Sequence, residues 1–429
     1  MADPKVFPLK CGTQLYLWGK KGRQSEVARL LESSPYQTGF SLNPETTYAE
    51  LWMGTHRKSP CYVADTDMTL EAWIDAHPDC LGQKVREKFK GQLPFIMKVL
   101  SFDTALPLQA HPNKKHAEEL FASAPEKYPD DNHKPEIAIA LTNMRGMCGF
   151  RPLGEIAGYL KEIPEFYEAI GAEAAEEFLS AAGASDPAHQ KAALRALKKC
   201  FHALMVCNEE VVARLLAVMD KRMKKEIAAG RDVTASNGEL FLQLHRQYPA
   251  DRGCFSIYLL NVVDIGPSQA IDVPVNEAHA YISGDCVEVL ANGDNVVCGG
   301  LTDKQFSRLN DFETLSEMLR YEPAPCSDKI MRTKPDPSDP NVVFYDPGID
   351  DFAVAKIEIP SKTKSYVISR MSSASIVLVV KGDATGTNVT AGEPISFKRG
   401  AAIFISANQD VRLKISSRGL LMFRAYCPV

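Results

Sequence analysis

The sequence contains no Cys-x-x-Cys pair, no apolar run of membrane-spanning length and no excess of basic residues. Each absence removes a class of function. The 11 cysteines are odd in number and irregularly spaced, which argues against a zinc knuckle or a disulfide framework. They read as small core hydrophobes in a reducing compartment, and a cytosolic setting is expected. The start, Met1-Ala2-Asp3-Pro4-Lys5-Val6, lacks the apolar segment of a signal peptide, and no membrane partner is expected. A formal net charge of -5 points away from nucleic acid and anionic membrane surfaces. Small anionic substrates stay open, because a local cationic pocket does not need a basic protein. No internal repeat is visible.

What is present is an ordinary composition, 45% hydrophobic and 24% charged over 429 residues, enough for two or three domains. From Val6 to about Phe150 the texture is mixed. Strands such as Phe95 to Leu100 alternate with short helices predicted at Leu70 to Ala76 and Lys114 to Ser123. From Leu153 to Gln247 alanine, leucine, lysine and glutamate dominate. Asp186-Pro187 predicts a helix start, followed by Ala193, Leu194, Leu197, Phe201, Leu204 and Met205 at helical spacing. Asn208-Glu209-Glu210 predicts another helix, with Val212, Leu215, Leu216, Met219 and Met223 as its stripe and Gly230 as its stop. A further helix is expected near Gly238 to Gln247. Strands are expected again from Phe255 to Leu260, then a helical piece at Phe312 to Arg320 and a linker at Pro323 to Pro340. Beyond it, Phe352 to Ile359, Tyr366 to Arg370, Ile376 to Val380, Ala402 to Ile405, Val411 to Ile415 and Leu420 to Tyr426 predict a compact β-sandwich or jelly roll, with Gly382-Asp383 separating two strands.

The chemistry begins at Gln109-Ala110-His111. On a strand, residues two apart share a face, so an amide oxygen and an imidazole stand together. Glu136 follows at the mouth of the apolar run Ile137 to Ile139, where Pro135 biases Lys134 toward extended backbone. His279 follows a polar turn, Val275-Asn276-Glu277. If the strands wrap into a barrel, one Gln, two His and one Glu can converge. Such a set suits Zn²⁺ with an open position. One carboxylate against a dication leaves net positive charge, as Lewis-acid work on an alkoxide or enediolate requires. The plainer reading is that scattered histidines are packed or surface residues.

Longer motifs narrow the choice. Tyr128-Pro129-Asp130-Asp131-Asn132-His133-Lys134-Pro135-Glu136 closely resembles a signature of type I phosphomannose isomerases, also called mannose-6-phosphate isomerases. A second stretch of the same kind begins at His279-Ala280-Tyr281 and runs through Glu288 and Asp294-Asn295 to Gly300-Leu301-Thr302. Tyr16-x-Trp18-Gly19-Lys20, Tyr48 to His56, Gly149-Phe150-Arg151-Pro152 and Phe423 to Cys427 extend the resemblance over nearly the whole chain. It implies a mostly β protein: a cupin-type jelly-roll catalytic core (residues 1–152 and 253–325), an inserted α-helical domain (153–252) and a second β jelly roll at the C-terminus (326–429). It implies one Zn²⁺ per chain on Gln109, His111, Glu136 and His279, interconversion of mannose 6-phosphate and fructose 6-phosphate in the carbohydrate metabolism that leads to GDP-mannose, and a monomer.

Aldose–ketose isomerisation needs a base, a proton route between two oxygens, stabilisation of an enediolate and a phosphate grip. Glu288 is the expected base, with a structural carboxylate as the plainer reading. Lys134 and Tyr281 are the other expected proton carriers or hydrogen-bond donors. Lys98 matches a family lysine that looks like a phosphate ligand; a snorkelling strand-end lysine is the alternative. Lys304 is a further anion-binding candidate beside a plain surface charge, and Trp18 a pocket wall beside a core aromatic. Cys148 and His56 lie in motifs, with packing roles expected.

Two positions depart from the family pattern. Val-Arg-Ala-Gly-Leu-Thr-Pro-Lys is usual where this chain reads Val297-Cys298-Gly299-Gly300-Leu301-Thr302-Asp303-Lys304. The expected arginine is therefore Cys298, a weakly polar thiol in place of a permanent bidentate cation. A serine is usual where Pro107 stands, which has neither hydroxyl nor backbone N–H. Both changes fall on anion handling. The alternative function is thus a weakly active or non-catalytic paralogue that binds a sugar phosphate or a protein partner. Whether Arg145 or Arg151 reaches the vacated place is a structural question. An iron cupin oxygenase is a remote third reading.

Overall fold

Period-two alternation in four strands builds the centre of the molecule. In Glu50–Met53, Phe95–Phe102, Glu136–Ala140 and His279–Ala291, one set of alternate residues is aliphatic: Leu51 and Met53, Met97 and Val99, Ile137 and Ile139, Val287 and Val289. These pack in one core with Ile376, Leu378 and Phe423 of the C-terminal sheet. The other set carries Glu50, Trp52, Lys98, Glu136 and Glu288, which line a cavity. Alternate side chains of a strand face opposite ways, so a dry sheet-on-sheet contact on one face leaves a polar wall on the other.

The computed structural model describes residues 5–183, 187–386 and 394–429. The 13-residue strand His279–Ala291 is the hub of one ten-stranded sheet. It is antiparallel to Phe95–Phe102, Glu136–Ala140, Met144–Phe150 and the short strand Gln109–Ala110. It changes partners near Gly284, where φ is +137°. A Cβ there would come within 2.9 Å of the Met144 backbone, so glycine suits the bend. In the second sheet Ala353–Ile359, Val411–Tyr426, Ser375–Gly386 and Ala402–Ile405 are neighbours.

Among the described residues between Leu153 and Gln247, six helices form the block expected there: Leu153–Glu162, Pro164–Ile170, Ala172–Ala182, Pro187–Val206, Glu209–Ala228 and Gly238–Gln247. The Asn208 side chain caps one of them, accepting from the N–H groups of Glu210 and Val211. Asp186, expected as a cap, lies outside the described residues. Helices Leu70–Ala76 and Lys114–Ser123 have the expected bounds, and Phe312–Met318 ends just short of the expected Arg320.

Several expectations are corrected. The run Phe255 to Leu260 is not a strand. A 3-10 helix occupies Arg252–Tyr258, started by the Asp251 carboxylate accepting from Gly253 N–H, and the strand begins at Leu260. Burial on all sides hides the period that would separate the two conformations. Gly382-Asp383 does not divide two strands but lies inside Ser375–Gly386. Gly382 has φ +85° at a register shift, where a Cβ would collide with the Gly419 carbonyl; it marks a bulge. Val411 to Ile415 and Leu420 to Tyr426 are one strand, Val411–Tyr426. Tyr366 to Arg370 shifts to Ser365–Ile368. The stretch read as a linker holds a 3-10 turn, Cys326–Lys329, and a short strand, Lys334–Pro335. Met331 N–H donates to Ala270 O, so this stretch still packs on the first sheet. The first strand, Val6–Lys10, in turn pairs with Ala402–Ile405 of the C-terminal sheet. Chain order and sheet membership therefore differ at both ends of the catalytic core.

Candidate metal centre and active site

Two segments far apart in sequence meet because the hub strand pairs with both. His279 stands opposite Gln109 at the start of that strand, and Leu290 stands opposite Glu136 near its end. Each donor thus sits on paired strand, except His111, which follows the two-residue strand Gln109–Ala110. Leu106 N–H donates to Tyr281 O and Leu108 N–H to Gly300 O, so the residues before Gln109 are anchored although they are not regular strand.

Metal-ligating atoms of His111, Glu136 and His279 all lie within 4.8 Å of one another, and all three residues are buried. His111 Nε2 is 3.3 Å from one Glu136 oxygen, and His279 Nε2 is 3.1 Å from the other. Neither Nε2 has a proton to give. The Nδ1–H of His111 donates to Asn295 O at 2.8 Å, and that of His279 to Glu277 O at 3.0 Å. A backbone carbonyl can only accept, so each ring presents a bare Nε2 lone pair to the centre. Burial, then the Lys134 ammonium, pushes His111 down to about 4, which keeps its imidazole neutral. Two lone pairs and a carboxylate facing one point repel unless a cation stands among them. The donor set fits a dication such as Zn²⁺, and Gln109, which lines the adjoining cavity, can add an amide oxygen.

Neighbouring turns hold these donors. Asn295, whose carbonyl orients His111, donates its amide to Asp130 O. The Asp130 carboxylate accepts from the N–H groups of Asn132 and Asp294. Asn276 N–H donates to His111 O at 2.7 Å. The acidic run before His133 is thus a stitch between the two motif loops. Tyr281 donates its hydroxyl to Glu136 Oε1 at 2.9 Å and does not line the cavity. Burial, then Glu136, raises its pKa well above the phenol range, so it stays a donor. Tyr281, expected as a proton carrier, is thus placed against Glu136 and not on the cavity wall. Tyr281→Phe is expected to weaken metal binding about 10- to 100-fold and to leave kcat at saturating metal little changed, as metal-dependent kinetics would show.

Beside the donors opens a cavity of about 550 Å³, the size of a small-molecule site. Lys98 and Glu288 face each other across paired strands, with Nζ to Oε2 at 3.2 Å. Lys98 is not the snorkelling lysine of the alternative reading: its ammonium is buried, 3.9 Å from Glu50 and 4.4 Å above the Trp52 ring. Burial opposes its charge, but Glu50 and then Glu288 outweigh it and hold Lys98 above the ordinary lysine range. One cation shared among several carboxylates cannot neutralise them all. Burial outweighs the pull of Lys98 and Lys134 and, with Glu136 and Glu50 adding to it, raises Glu288 to about 7. Lys134 lines the same wall, 3.9 Å from Glu136, as do Trp18 and Pro107.

Three comparisons bear on the chain. Profiles described as phosphomannose isomerase type I match residues 6–153 (catalytic domain), 169–260 (helical insertion domain) and 343–392 (C-terminal). The chain is 46% identical over 431 residues to a mannose-6-phosphate isomerase of Bos taurus and 44% identical to that of Homo sapiens, covering 100% of each pair. The chain belongs to the type I phosphomannose isomerase family. A phosphomannose isomerase variant from Salmonella typhimurium superposes with TM-score 0.81 at 27% identity, covering 99% of this chain and 100% of that one. A mannose 6-phosphate isomerase bound with zinc and yttrium superposes with TM-score 0.80 at 27% identity and the same coverage. The mostly β architecture with its inserted helices is that of the family.

Against this family, the remaining expected residues divide. Lys304 is exposed and lines a separate depression beside Tyr248 and Arg252, not this cavity. Cys298 is fully buried on a two-residue strand opposite Gln109, and burial pushes its thiol up to about 12. It is uncharged, is not among the residues that line the cavity, and replaces nothing that a guanidinium does. Arg145 does not fill the gap, being held by Asp264 at 2.7 Å, and Arg151 is held by Glu155 at 2.9 Å. Cys148 and His56 are buried; burial drives His56 down to about 4, and it packs edge-on to Trp52 at 5.1 Å. Sequence reasoning passed over Glu50. Its signal was the Glu50/Trp52 alternation inside a motif already singled out, one strand from Lys98. All 11 cysteines are free thiols. Among the described residues no helix is long and apolar enough to cross a membrane.

Proposed function

We propose that this chain is a zinc-dependent aldose–ketose isomerase acting on mannose 6-phosphate and fructose 6-phosphate, with Glu288 as general base. One observation carries the reading: a carboxyl raised to about 7 and a buried lysine share the wall of a cavity with a converging metal-donor group. Full-length kinship to proteins named mannose-6-phosphate isomerase supports the substrate. Gln109, His111, Glu136 and His279 would hold the ion, which supplies positive charge and Lewis acidity at the buried end of the cavity. Glu288 takes the proton from carbon 2 of the aldose and returns it to carbon 1 of the enediolate. Lys98, expected as a phosphate ligand, is given another role here because it is buried beside Glu288: it donates to the oxygen that gains charge, and Lys134 relays the hydroxyl proton between the two oxygens. Trp18 forms part of the sugar wall. The reading includes one ion per chain, a monomer, a cytosolic setting and the division into 1–152 with 253–325, 153–252 and 326–429.

A coupled assay of zinc-loaded protein tests it. Turnover above a Glu136→Ala control is expected, and none would reject the reading. Cys298 and Pro107 favour one alternative, a weakly active or non-catalytic paralogue. Cys298→Arg with Pro107→Ser separates the two. If activity has decayed, a gain on the order of a hundredfold follows from restoring one anion-handling group. If the wild type is already fast, no gain is expected, since a buried strand site must open to admit a guanidinium.

A further inference from the structure

Six cationic side chains line the cavity: Arg57, Lys58, Lys98, Lys127, Lys134 and Arg308. Four are held by carboxylates. Lys58 lies 2.6 Å from Asp294, Lys98 3.2 Å from Glu288, Lys127 2.5 Å from Asp311 and Lys134 3.9 Å from Glu136. Among the described residues, Arg57 and Arg308 have no ion pair or side-chain hydrogen bond. Both are exposed, whereas Lys98, Glu136 and Glu288 are buried. The cavity is therefore polarised: the buried pairs Lys98–Glu288 and Lys134–Glu136 lie at its floor, and of the cations nearer solvent Lys58 and Lys127 are already held by carboxylates, which leaves the two guanidinium groups uncommitted at its mouth.

We propose that Arg57 and Arg308 form the phosphate grip of this chain, in place of the family arginine and serine lost at Cys298 and Pro107. This rests on the isomerase reading above and adds the residues that select the substrate class. A sugar phosphate carries its reacting carbons at one end and its dianion at the other, which matches a reactive floor and a cationic mouth. Guanidinium forks suit phosphate oxygens bidentately. Arg308 is also held where it can serve. Its turn, Ser307–Leu309, follows Asp303, whose carboxylate accepts from the N–H groups of Gln305 and Phe306. Phe306 packs on the Tyr16 ring at 5.4 Å, and Asn310 bonds Thr302 at 3.1 Å. A guanidinium on an anchored turn loses less freedom on binding than one on a free loop. Arg57 follows the buried His56 on the opposite motif and stands at the lip shared with a neighbouring depression.

The test uses full-length, zinc-loaded Arg57→Gln, Arg308→Gln and the double variant. Each single change is expected to raise KM for mannose 6-phosphate about tenfold, the loss of one charge-assisted hydrogen bond, with kcat little altered. Inorganic phosphate should inhibit the double variant more weakly, and Arg308→Lys should recover part of the loss. Calorimetric titration of mannose 6-phosphate against unphosphorylated mannose keeps the question separate from catalysis. If the wild type binds the phosphate but shows no turnover, the isomerase reading fails while the grip is still read from Kd. Unchanged KM and Kd in the double variant would overturn the grip. So would an equal loss in Lys304→Gln, which would mean general surface charge. Glu126, the cavity carboxylate that also lacks a partner among the described residues, supplies the last control. If Arg308 merely served an ion pair with it, Glu126→Gln would raise KM in the same way; under the proposal it lowers KM or leaves it unchanged.

Discussion

Glu288→Gln is expected to lower kcat by about a hundredfold to ten-thousandfold, the range for a positioned general base, while KM changes little. The amide keeps the shape of the side chain and its place opposite Lys98 but cannot accept the proton. The pH profile provides the stricter check. A base works as the carboxylate, and a raised pKa keeps the proton on longer as pH rises. Activity is therefore lost as pH falls through the folded value, which burial and the carboxylates Glu136 and Glu50 raise to about 7. A dication bound at Glu136 cancels part of that repulsion, so the acid limb of the zinc-loaded enzyme should lie at or below this value. In Glu288→Gln the limb should vanish, leaving a flat residual rate. A variant with full activity, or one that retains the limb, would remove Glu288 from the base role and pass it to Lys134.

His279→Ala and Glu136→Ala are expected to reduce activity by on the order of a thousandfold or more, because the positive charge facing the enediolate goes with the ion. Elemental analysis should show metal in the wild type and little in either variant. Stability gives a second, independent readout. A ligand that binds only the folded state at a thousand times its Kd adds about 4 kcal/mol. Chelation should thus lower the melting temperature of the wild type and leave that of the variants unchanged. Equal metal content in the wild type and Glu136→Ala would reject the proposed donor set.

Much of this was legible in local sequence, for identifiable reasons. Helices Leu70–Ala76 and Lys114–Ser123 could be read to the residue because their caps, Thr69 and Asn113, accept from backbone N–H groups three positions on. The Gln-x-His pair, Glu136 and His279 lie in long motifs whose turn chemistry is itself local, as with Asp130 and Asn132. Local rules failed where burial was uniform. Phe255 to Leu260 is apolar on every side and gives no period to separate strand from 3-10 helix. The single strand Val411–Tyr426 reads as two in the sequence because its turn-like residues lie inside a sheet that decides the matter by pairing. Glu50 was passed over because nothing in one strand reveals which charge faces it from the next.

By itself, then, the amino-acid sequence determined the residue types of the donor set, the β–α–β order of the chain and the two departures at Pro107 and Cys298, because these depend on identity and short spacing. Tertiary structure decided everything that depends on distance between charges. Strand register put Lys98 beside Glu288 and beside Trp52, and burial with neighbouring carboxylates then raised Glu288 toward neutrality. Sheet pairing put the bare nitrogens of His111 and His279 on either side of Glu136. Strand pairing and the loops between strands drew Lys58, Lys98, Lys127 and Lys134 onto acidic partners and left Arg57 and Arg308 at the cavity mouth. Coulomb interactions fall off with separation and strengthen with burial, and neither quantity exists until the chain has folded.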